Sequence, residues 1–307
     1  MRFFVTGASG WIGSALVPDL IEAGHQVVGL ARSDASAAAL DAAGAEVVRG
    51  TVDDLGVLRD AAAASDGVIH LAFKHDLAFS GGFQEAAEAD RRAVEAFGDA
   101  LAGTGRPFVL ASGLLGLAPG RLVTERDRPA LDGSHFAIRQ TTAEAALALA
   151  ERGVRSSVVR LSPTCHGEGD NGFVASLVTV ARARGVSGHP GDGTTRWPAV
   201  HRLDAARLFR LAAEKAPAGS VLHGSAEEGV ALRDIAEVIG RHLDVPVTSV
   251  APEAAAEHFG WLSGPLGFDA VASSALTREL LGWEPVRPGL LADLDEGHYF
   301  HSPAATG

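Results

Sequence analysis

The chain has 307 residues, 47% of them hydrophobic, and a formal net charge of −12 at pH 7. That is enough apolar material for one large domain or a domain with a smaller partner. The acidic balance argues against nucleic acid and anionic membrane surfaces, which both call for a basic face. A single cysteine, Cys165, leaves no intramolecular disulfide and no cysteine-based metal cluster. The opening "MRFFVTGASG" has neither a long apolar run nor a cleavage-like segment, and no stretch approaches the ~18–20 apolar residues of a bilayer span. A soluble, cytoplasmic protein is expected.

Residues 1–165 alternate short apolar runs with longer alanine-rich stretches. The runs "RFFVTG", "QVVGLA", "AEVVRG", "GVIHLA", "PFVLAS" and "SSVVRLS" are apolar on both faces, as strands buried between two helix layers are. Between them, "LGVLRDAAAAS" and "EADRRAVEAFGDALAGTG" carry apolar residues three and four apart, the spacing of helices with one buried face. The fold class expected is α/β, a Rossmann-like doubly wound parallel sheet. From residue 166 onward glycine, proline and aspartate cluster, as in "GHPGDGTTRWPAVHRLD". Residues 166–307 are therefore expected to form mostly a smaller C-terminal substrate-binding domain, with a helix near 203–215 returning to the main sheet. The final "HSPAATG" reads as a frayed tail.

The first turn carries the clearest chemistry. "FFVTGASGWIGSAL" sets Gly7, Gly10 and Gly13 between the first strand and the first helix. Gly7 permits a tight turn, Gly10 a close approach of backbone to a diphosphate, and Gly13 close helix–strand packing. The intervening backbone at Ser9, Trp11 and Ile12 then offers N–H groups at a helix N-terminus, which favours an anion. A dinucleotide is the expected ligand. At the end of the second strand, a carboxylate would accept hydrogen bonds from a ribose 2′-hydroxyl. Ala31, Arg32 and Ser33 stand there instead, and an arginine can grip a 2′-phosphate with two parallel bonds. NADP is preferred on this reading and NAD is the second choice.

Taken together, "TGASGWIG", "GVIHLA", "FVLAS", "VVRLSPTCHGEGD" and "WPAVHRLDAARLF" resemble the extended and atypical short-chain dehydrogenases/reductases, the NAD-dependent epimerase/dehydratase group. The resemblance implies that Asp53 meets the adenine, that Leu71, Ala72 and Phe73 border the cofactor, and that Pro163 and Thr164 lie near the nicotinamide. Read without the resemblance, Leu71 and Phe73 suit a core equally well, and Asp53 suits a cap on the helix that follows Asp54. Relatives often pair through two helices, which here are the stretches around Glu85–Leu101 and Ser134–Ala150, so a homodimer is implied.

The family's usual chemistry needs Tyr-x-x-x-Lys on one helix, where the ammonium lowers the phenol pKa for proton transfer. The stretch "SHFAIRQTTAEAALALAERG" should hold that pair. It sets Ile138 at the tyrosine position and Thr142 at the lysine position. Realignment offers no rescue, because Tyr299 is the only tyrosine and Lys74 and Lys215 are the only lysines.

Three residues are candidates to replace the pair: the hydroxyls of Ser112 and Thr142, and His75, which follows the fourth strand at the sheet edge where ligands bind. Gly113 competes with Ser112 for the register of the family's hydroxyl donor. Free histidine titrates near neutral pH, which suits His75 to proton donation. Asp90 stands where many relatives carry asparagine and reads equally as a surface charge. His135 reads as a cap or surface residue, and Arg139 and Gln140 as candidates for a polar substrate. His201 is expected to hydrogen-bond near Asp204. Trp197 suits a pocket or a core. The histidines show no ligand-like spacing, and His298 and His301 fall in the expected tail, so no metal site is expected.

The leading expectation is an NADP-dependent oxidoreductase that reduces a small carbonyl, enone or imine-like substrate without the Tyr/Lys pair. A non-catalytic NADP sensor and a nucleotide-sugar epimerase or dehydratase are the alternatives.

Overall fold

The computed structural model describes residues 1–118, 120–129 and 135–301, with Phe79 and residues 135–137 described through the backbone alone. Seven strands make the central sheet: β1 (Arg2–Thr6), β2 (Gln26–Ala31), β3 (Glu46–Arg49), β4 (Gly67–His70), β5 (Pro107–Gly113), β6 (Arg155–Leu161) and β7 (Ser220–Gly224). All are parallel, in the order β7-β6-β5-β4-β1-β2-β3. The order reverses between β1 and β4. In an open α/β sheet the crevice for a ligand lies there, outside the carboxyl ends of the strands.

Strand alternation divides the core between two helix layers. Phe3 and Val5 point to one face and pack with α1 (Gly13–Glu22), α2 (Asp34–Ala42) and α6 (Arg202–Lys215). Phe4 points to the other and packs with α3 (Leu55–Ala63), α4 (Phe83–Leu101) and α5 (His135–Ala148). Both faces of each inner strand are covered, which is why the sequence runs are apolar throughout.

The expected helix near 203–215 lies on this sheet as α6, burying Ala205, Leu208, Phe209 and Ala212. Phe209 is fully buried, and truncating such a side chain to alanine costs ~3–5 kcal/mol. The seventh strand, β7, was not among the six expected from sequence. It is five residues of "SVLHG" inside a region that otherwise reads as irregular. Further on, Trp283 donates its Nε1–H to the Asp204 carbonyl at 3.0 Å, so part of the C-terminal segment also packs on the main core.

A second core surrounds Trp197, Ile235, Leu262 and Leu290. It packs the helices Phe173–Arg184 and Leu232–Leu243 beside a three-stranded sheet of Thr164–His166, Arg196–His201 and Glu227–Ala231. Trp197 is a core residue here, with its Nε1–H bonded to the Phe268 carbonyl at 3.1 Å. Among the described residues no helix is long and apolar enough to cross a membrane.

Candidate active site

The loop from β1 to α1 is built for close approach. Gly7 adopts a left-handed φ of +66°, and a Cβ there would lie 2.8 Å from the Ala72 backbone nitrogen. A Cβ on Gly13 would lie 2.1 Å from the Gly7 carbonyl oxygen, and one on Gly10 3.1 Å from the same atom. The turn is closed by the Gly10 N–H on the Gly7 carbonyl at 2.9 Å. Among the described residues, the N–H groups of Ser9, Trp11 and Ile12 donate to no protein acceptor. Those donors at the start of α1 suit a diphosphate. Trp11 ties the loop across the cleft, donating its Nε1–H to the Cys165 carbonyl at 2.9 Å with Arg202 stacked 4.3 Å over its ring. This tether brings the phosphate loop to the segment holding Pro163 and Thr164. The Thr164 hydroxyl is itself committed to the Pro198 carbonyl at 2.6 Å.

The nucleotide end is more basic than its sequence suggested. Arg32 follows β2 with a largely exposed guanidinium, 3.5 Å from the exposed Asp76 carboxylate. Ser33 caps α2, its Oγ accepting from the Ser36 N–H. A second arginine, Arg49, ends the neighbouring β3 and donates to the Ser33 carbonyl at 2.5 Å and to Asp34 at 2.6 Å. Sequence reasoning passed over Arg49, although its place opposite Ala31 follows from the parallel register. Asp53 is held by Lys74 at 2.6 Å and lies 3.6 Å from Arg92. It is not the cap considered above: Asp54 takes the cap position and turns its carboxylate back to the N–H and hydroxyl of Thr51.

At the exits of β4 and β5 lie the candidates to replace the missing pair. Leu71 and Ala72 are pinned to β1, the Ala72 N–H reaching Thr6 Oγ1 at 3.2 Å and the Leu71 N–H the Thr6 carbonyl. Thr6 Oγ1 lies 2.5 Å from His70 Nδ1, and His70 Nε2 lies 3.2 Å from the Asp90 carboxylate. Asp90 is therefore no surface charge; it is 4% exposed. The cation opposite it is Arg139, whose charge Asp90 supports against the burial that disfavours it. The Arg139 guanidinium lies 3.9 Å over the Phe73 ring and donates to the Ala111 carbonyl at 3.1 Å. Gln140 donates to the Gly113 carbonyl at 2.9 Å.

His75 packs edge-on to Phe73 with ring centres 5.0 Å apart. Its expected titration near neutral pH is corrected here. Desolvation by the protein around it, and then the charge of Arg139, push its pKa down to about 4 although the residue as a whole is exposed, so the imidazole is neutral at pH 7. Ser112 and Thr142 are both buried, and Ser112 Oγ has no protein partner among the described residues. Ile138 is half-buried. The side chain of His135 lies outside the described residues.

Two further histidines are placed by the structure. His201 has Asp204 among the charges around it but makes its contacts elsewhere. Its Nδ1 accepts the Leu203 N–H while its Nε2 faces Asp293 at 3.9 Å, and the Asp204 carboxylate takes the N–H groups of Val286 and Arg287. His298 is not in a loose tail: it meets the buried Asp293 at 3.2 Å, opposite His166 at 2.8 Å. Tyr299, next to it, donates to Asp170 at 3.0 Å and accepts the Gly167 N–H. Asp293, Glu296 and His298 bring ligand-type atoms within 4.8 Å of one another. Both Asp293 oxygens already face imidazole nitrogens there.

The comparisons meet this geometry at the phosphate loop and the sheet. Residues 3–223 match the profile of the "NAD dependent epimerase/dehydratase family". The chain belongs to that family. It is 47% identical, over 98% of its length and 100% of the relative's, to an uncharacterised protein of Schizosaccharomyces pombe. An uncharacterised protein of Saccharomyces cerevisiae is 45% identical over 96% of this chain and 98% of its own. The solved structure of MoeE5 in complex with UDP-glucose and NAD superposes with a TM-score of 0.76 at 24% identity, covering 96% of each chain, and shares the fold.

A nicotinamide dinucleotide, implied by the family, fits the residues present. The glycine loop leaves no room for a Cβ at Gly7 or Gly13, its Ser9, Trp11 and Ile12 N–H groups meet no acceptor among the described residues, and arginine rather than a carboxylate follows β2. Gly7, Ser9, Gly10, Trp11, Ile12 and Gly13 would hold the diphosphate, and Arg32 and Ser33 the adenosine ribose.

Proposed function

We propose that the chain is an NADP-dependent reductase of small carbonyl, enone or imine-like compounds. The observation that carries this reading is the exchange at α5: an isoleucine and a buried threonine stand at the tyrosine and lysine positions, while a neighbouring arginine, opposite a buried aspartate, faces the exit of β5. Bound NADPH would supply the hydride. The chain's own residues then orient the substrate and stabilise charge on its oxygen, or on the nitrogen of an imine, and a proton from solvent completes the reduction. Positioning a substrate against a hydride donor is itself a large catalytic term, so reduction survives without the phenol. Oxidation of an alcohol needs a base that removes a proton. With His75 neutral but of low basicity and Ser112 and Thr142 unassisted by lysine, that direction is slow.

Arg32 supports NADP over NAD, with Arg49 behind it on β3. The comparisons favour a second reading, since MoeE5 was solved with UDP-glucose. Nucleotide-sugar epimerisation begins by oxidising a hydroxyl, the step that leans hardest on the missing tyrosine. Pairing of two copies through α4 and α5, and residence in the cytoplasm, belong to the same proposal.

The test is a turnover screen with aldehydes, ketones, enones and imines, followed by loss of nicotinamide absorbance, with UDP-glucose alongside. Reduction of a carbonyl, enone or imine class with no conversion of UDP-glucose is the expected result. Epimerised sugar without carbonyl, enone or imine reduction overturns the proposal, and so does tight NADPH binding with no turnover of any class.

A further inference from the structure

We infer that Arg139 forms an oxyanion-binding site at the carboxyl end of β5, a receptor for a ligand carboxylate or for a carbonyl oxygen gaining negative charge. The inference rests on the reductase reading for its biological ligand, but the site is defined by geometry alone.

Arginine presents five N–H donors in a planar fork. Among the described residues, the only acceptor that the Arg139 fork reaches is the Ala111 carbonyl, through one terminal nitrogen at 3.1 Å. The ring of Phe73 covers one face of the guanidinium at 3.9 Å, which fixes its plane without using a donor. The counter-charge, Asp90, makes no ion pair with it; the Asp90 carboxylate lies instead 3.2 Å from His70 Nε2. A cation so placed is neutralised at a distance while its donors stay available. That differs from a structural arginine such as Arg155, which gives both terminal nitrogens to the carbonyls of Ala213 and Ala216.

A second observation marks the same place. Ser112 follows Ala111 on β5 and is 5% exposed, yet among the described residues its Oγ has no protein partner. Gln140, beside Arg139 on α5, is 4% exposed and its Oε1 is likewise unpartnered among the described residues, although its Nε2 is bonded to the Gly113 carbonyl. Buried hydroxyl and amide oxygens usually have partners, because leaving one without costs ~1–3 kcal/mol. Ser112 has an O–H to give to a ligand oxygen, and Gln140 Oε1 accepts from a ligand hydroxyl. Arg139 and Ser112 thus supply the charge and the donor that the tyrosine and lysine would have brought, from one residue after the tyrosine position and from the neighbouring strand.

Oxamate, a small carboxylate, is the probe, titrated calorimetrically into the full chain with and without NADPH. Wild type is expected to bind it, and Arg139→Gln to weaken it about 10- to 100-fold, the loss of a charge-assisted pair. Arg139→Lys should recover part of that loss and Ser112→Ala should cost several-fold less. Asp90→Asn should tighten oxamate, because the competing carboxylate is gone. A purely structural role predicts no such opposition between the two partners. NADPH affinity and melting temperature should stay near wild type in Arg139→Lys. Oxamate binding that is equal in wild type and Arg139→Gln, or weakened by Asp90→Asn, overturns the site. If Arg139 governs oxamate but no carbonyl compound is reduced, the reductase reading falls and the site stands. If carbonyl compounds are reduced equally well by wild type and Arg139→Gln, the site falls and the reading stands.

Discussion

The two ends of the proposed cleft follow opposite logics. At the phosphate loop, recognition is made by backbone, and each glycine is required by an atom it would otherwise strike: Ala72 N for Gly7 and the Gly7 carbonyl for Gly13. At α5, side chains carry the chemistry, and the family's tyrosine and lysine have been exchanged for isoleucine and threonine with an arginine alongside. The first end tolerates almost no change, because a backbone has no rotamer with which to retreat. The second can be rebuilt, because charge and donors can be brought to the same space from neighbouring positions. On the proposed reading, cofactor binding and chemical step are accordingly separable.

The sharpest way to break that contrast is at the loop. Gly13→Ala sets a methyl 2.1 Å from a carbonyl oxygen, and overpacking of this kind costs ~1–3 kcal/mol, more where only backbone can yield. NADPH affinity should fall about 100-fold or more by fluorescence titration, with turnover lost in step. Arg32→Glu should have the next largest effect. Replacing a charge-assisted partner of the 2′-phosphate by a like charge should weaken NADPH ~10- to 100-fold while leaving NADH nearly unchanged, which a paired titration reads directly.

His75→Ala sharpens the comparison from the other side. A neutral imidazole at pH 7 donates a hydrogen bond but no proton, so kcat/KM should drop about tenfold or less, with NADPH binding intact and no shift in the pH profile between 6 and 8. A profile whose acid limb disappears in the variant would restore His75 as the proton donor.

The smallest effect concerns stability rather than chemistry. His223, fully buried on β7, has its pKa pushed down to about 4 by burial, against the raising influence of Glu125 and Asp127 and with the lowering one of Arg160. Between the unfolded value of 6.5 and the folded value of about 4, the unfolded chain binds the extra proton. The stability that neutral His223 contributes is therefore fully present above pH 6.5 and is lost as the pH falls toward 4. Melting temperature measured from pH 7 to pH 4 should fall, and His223→Gln should flatten part of that fall while lowering the plateau.

How far sequence reading reaches differs between the same two regions. The sheet and loop were legible because strands buried on both faces leave apolar runs, and a glycine turn leaves its spacing. The strand β7 escaped because it lies in the half of the chain expected to form a separate domain, and its neighbour β6 is remote in the chain. The placing of Arg139 opposite Asp90 escaped for a related reason. One lies on α5 and the other on α4, and nothing local distinguishes a charge that faces inward from one that faces water. The clasp of His166, Asp293 and His298 joins residues still further apart, so "HYFH" looked like a tail. The absence of tyrosine and lysine was certain from the sequence. What stands near their place required the fold.

The measurement that bears most directly on the central claim is equilibrium binding of NADPH and NADH to the wild-type chain, followed by quenching of its tryptophan fluorescence, since Trp11 lies in the phosphate loop. NADPH bound at least about tenfold tighter than NADH, a difference of ~1.4 kcal/mol, is the result expected from Gly7, Gly10, Gly13 and Arg32 acting together. Tighter binding of NADH would contradict the role given to Arg32, and binding of neither would contradict the account at its first residue.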